Sequence, residues 1–195
     1  MSFFVSIGMV LLFAAAAIYA VIVYNGLVRL QNEIGRAWAN IDVLLKQRHD
    51  EIPNVVACVK GYTDHERQTL EAVTQARTAS INASSISQKA QADMLLTGAL
   101  RSFFVVAEQY PQLKADQNFL ALQKRISELE ERIADRREFF NDDVNTYNTH
   151  IAQLPDVLMA RVMKLSPREM FRVNEQERQQ VEVKGALARG QGAAH

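Results

Sequence analysis

The chain opens on one unbroken apolar block and then settles into a repeating rhythm of apolar and polar positions. Residues Phe3 to Val23 (FFVSIGMVLLFAAAAIYAVIV) carry no charged side chain. About 21 residues at ~1.5 Å each make a helix of ~31 Å, close to the ~30 Å hydrocarbon thickness of a bilayer. A helix satisfies its own backbone hydrogen bonds and can therefore stand in lipid. Tyr24, a residue type enriched at membrane interfaces, follows the block, and Arg29 is the first charge. The block is long for the apolar part of a cleaved signal and has no basic start, although Ala14 to Ala17 imitate a cleavage site. A soluble helix of this length would show a polar face. Residues 1–24 are therefore expected to form a transmembrane anchor.

Beyond the anchor, Leu27, Leu30, Ile34, Ala37, Ile41, Leu45, Ile52, Val55 and Val59 recur in steps of three and four or their sum. That spacing marks a seam facing other helices. It predicts one long helix over 25–78, kinked near Pro53, because proline removes a hydrogen bond and crowds the carbonyl four residues back. Gly61 inside it costs ~1 kcal/mol relative to alanine. The run SINASSIS ends it. A second helix is predicted over 87–110, with Leu96, Ala99, Phe103, Val106 and Tyr110 on one face and Pro111 closing it. A third spans 117–154, capped by Asp116. Its seam runs from Phe119 through Ile126, Ile133, Phe140, Val144 and Ile151 to Leu154, with Arg136 where an apolar residue would be expected. A short amphipathic piece over 156–165 follows Pro155.

No stretch alternates as a strand does. The fold class expected is all-α: one N-terminal transmembrane helix continuing into an antiparallel bundle of long helices with coiled-coil-like seams. The bundle domain is placed at 25–172 and a partly disordered tail at 173–195, where GALARGQGAAH is rich in glycine and small residues.

Lengths carry a further expectation. A straight first helix of ~80 Å would outreach a second of ~36 Å, leaving the membrane-proximal seam without cover from its own chain. Leu27, Leu30, Ile34, Trp38, Ile41 and Leu45 are accordingly expected to pack against neighbouring copies, making a homo-oligomer on a shared membrane plane. A bend at Pro53, or the 156–165 piece, would instead cover the seam within the chain. Arg29, Arg36, Lys46 and Arg48 follow the span while no Lys or Arg precedes it. The positive-inside tendency then puts the N-terminus outside and the main domain in the cytoplasm of a bacterial inner membrane.

Charge narrows the function classes. Twenty-two basic residues balance twenty-two acidic ones, so no single-signed field exists to hold nucleic acid. The single cysteine, Cys58, allows no intrachain disulfide and reads as a small buried hydrophobe.

Particular runs resemble a known family. Tyr24-Asn25-Gly26-Leu27-Val28, Ala37-Trp38-Ala39-Asn40-Ile41-Asp42-Val43, Leu45-Lys46-Gln47-Arg48-His49 and Ile52-Pro53-Asn54-Val55-Val56 are similar to the opening of the LemA family. Val59-Lys60-Gly61-Tyr62, His65-Glu66, Leu70-Glu71 and Ala76-Arg77 continue the likeness. Ala107-Glu108-Gln109-Tyr110-Pro111-Gln112-Leu113-Lys114, Asn118-Phe119, Leu122-Gln123 and Tyr147-Asn148 resemble its second half. Phe139-Phe140-Asn141 departs from the pattern, which has a tyrosine before the asparagine. The resemblance implies a single N-terminal span, a short outer N-terminus and a bundle of long antiparallel helices. It implies no enzymatic activity, and it links some relatives to membrane organelles or stress-linked membrane systems.

The residues themselves offer little chemistry. Asp42, Lys46 and His49 share a helix face by spacing and suggest a polar network; with Asp50, His65 and Glu66 they are the one constellation able to move a proton or hold a metal. His49 and His65 stand ~160° apart around a straight helix, and Thr69 occupies the place of the second histidine in the zinc-protease pattern. No phosphate loop or nucleophile elbow occurs. Trp38 reads as a packing anchor, His150 and His195 as solvent-facing, and Met159, Met163 and Met170 as either a binding patch or cover for the bundle end. No catalytic, cofactor or metal site is expected. The partners expected are membrane lipid, further copies of the chain and, as a second possibility, a membrane protease or sensor to which a tethered adaptor presents its bundle.

Overall fold

A computed structural model describes residues 1–59 and 67–172, with the side chain at 67 excluded. The elements are α1 (Ser2–Val59), α2 (Arg67–Asn82), α3 (Ile86–Ala107), α4 (Pro111–Lys114), α5 (Gln117–Ala152) and α6 (Asp156–Val162), with no strand among the described residues. The all-α class holds, and the chain divides into two units. The tail expected to be partly disordered, 173–195, lies outside the described residues, as do His65 and Glu66.

The first unit comprises residues 1–40 and 138–169. Its α1 portion begins with the apolar block, whose mean hydropathy reaches 2.5 in a window that none of the described residues buries. This is the one described helix long and apolar enough to cross a membrane. Beyond the block, α1 pairs antiparallel with the last part of α5. The Trp38 and Phe140 rings lie 5.5 Å apart, and Asp143 feels the charge of Glu33. Carried on, that register sets Ile34 beside Val144 and Leu27 beside Ile151, all four buried. Phe140, fully buried against Trp38, fills with a plain ring the place where the family pattern has a phenol.

Past α5 the chain turns at Gln153–Pro155, forms α6, and comes back along α5. The Tyr147 hydroxyl donates to the Ser166 carbonyl at 3.2 Å. Asn148 donates to the Arg168 carbonyl and accepts from its amide, at 3.0 and 2.8 Å. Lys164, at φ 53°, makes the turn between α6 and this return.

The second unit holds residues 41–137 and those from Met170 on. Here the long first helix expected over 25–78 is corrected. Helix α1 ends at Val59 and α2 begins at Arg67. Arg77 Nε donates to the His49 carbonyl at 3.1 Å, although 28 residues of one straight helix would hold them ~42 Å apart. The chain has folded back, so α2 runs antiparallel to α1. Pro53 sits inside α1 without ending it, and explains that contact. Lacking an N–H, it leaves the His49 carbonyl without its helical donor, and the Arg77 guanidinium takes the vacant place.

Ser85 caps α3 in a reciprocal box with Gln88. Asp116 caps α5 as expected, its Oδ1 accepting from the Asn118 and Phe119 amides at 2.8 and 3.2 Å. Helix α4 was not anticipated; Pro111 begins it and buries Leu113. The core runs through Ile52, Val55, Val73, Leu96, Leu100 and Ile126, with Phe103, Phe104 and Phe119 stacked edge to face.

The extra reversal after Val59 changes the direction of everything downstream. Helix α5 runs back along α1 where the length argument had it leaving. The seam expected to lack intrachain cover is therefore covered: Leu27, Ile34, Ile41 and Leu45 are buried within one chain, and Leu30 and Trp38 are half-buried.

Candidate functional site

The second unit is built around a buried ion pair. In the rhythm of α1, the step from Leu45 to Ile52 is seven positions long, and Arg48 stands in the gap. Asp93 likewise stands three residues before Leu96 on the inward face of α3. Both charged residues are thus carried into the core by helical periodicity, at 0% and 4% exposure. The guanidinium Nη2 meets Asp93 Oδ1 at 2.5 Å, and Nη1 donates to Thr97 Oγ1 at 2.9 Å. Glu130 of α5 lies 3.8 Å from Nη1, and Arg137 lies 4.0 Å from the other Asp93 oxygen.

Arg48 and Asp93 balance in charge, which is what allows the two to be buried at all, while Glu130 and Arg137 flank them partly exposed. The satisfaction is incomplete: Arg48 Nε and Glu130 Oε1 have no hydrogen-bond partner. Burial pushes the Glu130 carboxyl above its ordinary value, with Arg48 opposing and Asp93 adding to the rise. Such a cluster ties α1, α3 and α5 to one register, since a slip of either partner strands a charge in the core. Arg136, which the rhythm had put on the seam, is exposed; its neighbour Arg137 reaches Asp93.

Asp42, Lys46 and His49 line one open cleft of about 340 Å³ together with Asp50, Arg77 and Lys89. They do not hydrogen-bond one another. Asp42 pairs with Lys89, Lys46 pairs with Asp50 at 2.7 Å, and the His49 carbonyl is taken by Arg77. The imidazole Nε2 is buried without a partner. Burial, then the Arg77 and Arg48 charges, hold His49 below its ordinary value, so it stands neutral at physiological pH. Among the described residues no group of three or more His, Cys, Asp or Glu side chains is placed to hold a metal ion. Cys58 is half-buried and unpaired, and His150 is half-exposed and bonded to Asp156 at 2.6 Å.

The run that carries Arg48 lies within the stretch by which the chain can be classified. Residues 37–184 match the LemA family. The chain belongs to the LemA family. Among curated LemA-like proteins, Protein LemA of Metamycoplasma hominis is 31% identical over 163 residues, 81% of this chain and 73% of the relative. Magnetosome protein MamQ 2 of Paramagnetospirillum magneticum is 23% identical over 174 residues, 76% of this chain and 64% of its own length. Magnetosome protein MamQ of Magnetospirillum gryphiswaldense is 22% identical over the same shares. None of these names denotes an enzyme. The described LemA-like domain therefore consists of a helical bundle with a neutralised polar core, preceded by one membrane-length helix.

Proposed function

We propose that this LemA-family chain is a non-enzymatic, membrane-anchored bundle that self-associates and organises a region of membrane. The observation that carries the reading is the first part of α1, an uncharged membrane-length helix that none of the other described residues buries. It runs without a break into helix that is packed against α5. Magnetosome-named relatives support a place in membrane organisation, and the mutual pairing of the charges around the cleft supports a structural role for them. With the Leu27–Leu45 seam occupied by its own chain, self-association falls to other surfaces. Ala16 and Ala20 on the uncovered span, four residues apart, permit close helix approach in lipid. The membrane is the bacterial inner membrane, with the N-terminus outside and the bundle in the cytoplasm.

Gentle detergent extraction of the native protein, followed by single-particle imaging and mass measurement, tests this. Assemblies containing several copies of the chain are expected. A strictly monomeric extract overturns self-association. A stoichiometric foreign chain replaces it with the adaptor reading, in which the bundle is presented to a protease or sensor. Recovery of the full-length protein in the soluble fraction without detergent overturns the anchor itself.

A further inference from the structure

The segment that closes the end of α5 carries an apolar face that the described residues leave exposed. Within the first unit Ala160 of α6 is buried, whereas Leu154, Leu158 and Val162 are 77%, 59% and 77% exposed. At ~100° per residue, Leu158 and Val162 project from the side of α6 opposite Ala160. Val157 and Met159 are half-buried beside Ala160, so α6 is apolar on its outer side as well as its inner one, where a helix facing water would be polar.

Position says what lies on that side. The Trp38–Phe140 and Glu33–Asp143 register brings Ile151 level with Leu27, so α5 ends one turn from Tyr24, where the apolar block of α1 stops. The bonds from Tyr147 to Ser166 and between Asn148 and Arg168 then take the chain back along α5. Residues 153–165 are therefore a cap on the end of the helix pair that faces the apolar block. Arg161 and Lys164 are exposed on it; its acidic Asp156 is engaged by His150, and Glu169 lies beyond the return.

We propose that this cap docks on the bilayer surface beside the span. Leu154, Leu158 and Val162 enter the interfacial zone, and Arg161 and Lys164 meet the phosphates of anionic lipid headgroups. The inference rests on the anchor reading of α1, and the two are separable by experiment.

Full-length protein carrying Cys58→Ala and one nitroxide at Leu158→Cys or Val162→Cys is reconstituted in vesicles of phosphatidylethanolamine and phosphatidylglycerol. Ile22→Cys reports the span, and Ala39→Cys, exposed and ~24 Å along α1 from Val23, reports the aqueous side. Labels at 158 and 162 are expected to be several-fold less accessible than 39 to a water-soluble relaxation agent, and more accessible to oxygen. The protection is expected to weaken in pure phosphatidylcholine and with Arg161→Gln and Lys164→Gln together. Labels at 158 and 162 as wet as 39, with 22 in lipid, overturn the docking and leave the anchor standing. A wet label at 22 overturns the anchor and the docking with it. Spin–spin broadening at 158 or 162 that disappears on dilution with unlabelled protein assigns the face to a second copy and overturns lipid docking.

Discussion

Replacing Asp93 by leucine leaves the Arg48 guanidinium in the core with Thr97 as its close partner and Glu130 at 3.8 Å, too far for a hydrogen bond. Arg48 is wholly buried, its side chain included. Stranding one member of such a pair costs about 3–5 kcal/mol. The Arg137 head, already half-exposed, turns outward at little cost when its carboxylate goes. Replacing both partners, Arg48→Met with Asp93→Leu, removes the stranded charge and restores apolar packing of similar volume. The double variant is therefore expected to recover most of the loss and to lie within about 1–2 kcal/mol of the parent. Glu130 keeps its carboxyl protonated more readily once Arg48 is gone, which limits the penalty on that side. The assay is urea unfolding of full-length protein in nanodiscs, followed by far-UV circular dichroism, for parent, both single variants and the double. Each single variant should lose about 3–5 kcal/mol of unfolding free energy, read as a lower urea midpoint at an unchanged slope. An Asp93→Leu variant within about 1 kcal/mol of the parent, or a double variant worse than either single, refutes the account of a coupled pair.

Four further outcomes are expected. Arg77→Met should cost roughly 1 kcal/mol by orphaning the His49 carbonyl, and most of that cost should vanish in a Pro53→Ala background, where the helix supplies its own donor; equal costs in both backgrounds would sink the proline argument. His49, whose folded-state value lies below the unfolded one, contributes stability that is present above about pH 6.5 and lost as pH falls through the lower folded value; His49→Gln should flatten the acid limb of the stability profile. Glu130 has the opposite sign, its folded value being raised, so its contribution is present at acid pH and lost as pH rises; Glu130→Gln should gain on the parent at neutral pH and converge with it below about pH 4, near the unfolded value. Phe140→Ala should cost about 3–5 kcal/mol and redden Trp38 emission, because the cavity opens against the indole.

Helical periodicity made the elements legible, and the caps made their starts legible. Asp116, Pro111 and the SINASSIS run punctuate the chain through local backbone chemistry that needs no tertiary information. The reversal of α2 against α1 was not legible, because Val59, Val73 and Ala76 keep a rhythm that a continuous helix would also show. A seam records which side of a helix is apolar and says nothing about whether its cover comes from the same chain. For that reason one missed reversal turned a covered stripe into an apparently open one. The polar core had a signal that was passed over: a charged residue at the centre of a seven-residue apolar step, Arg48, and its counterpart before Leu96, Asp93. Asp42, Lys46 and His49 share a face by spacing, yet they form no network with one another: Asp42 pairs with the distant Lys89, Lys46 with Asp50 one turn along, and Arg77 takes the backbone carbonyl of His49 and leaves its imidazole alone.

The unbroken passage of α1 from its apolar block into the packed pair with α5 leaves no swivel at the water line. When a bilayer thins, a helix too long for it leans, by anything up to ~40°. A jointed stalk would absorb that lean, whereas this one must carry the soluble pair over with it. In the anchored protein proposed above, local thickness is thereby converted into the angle at which a rigid lever leans from the membrane normal.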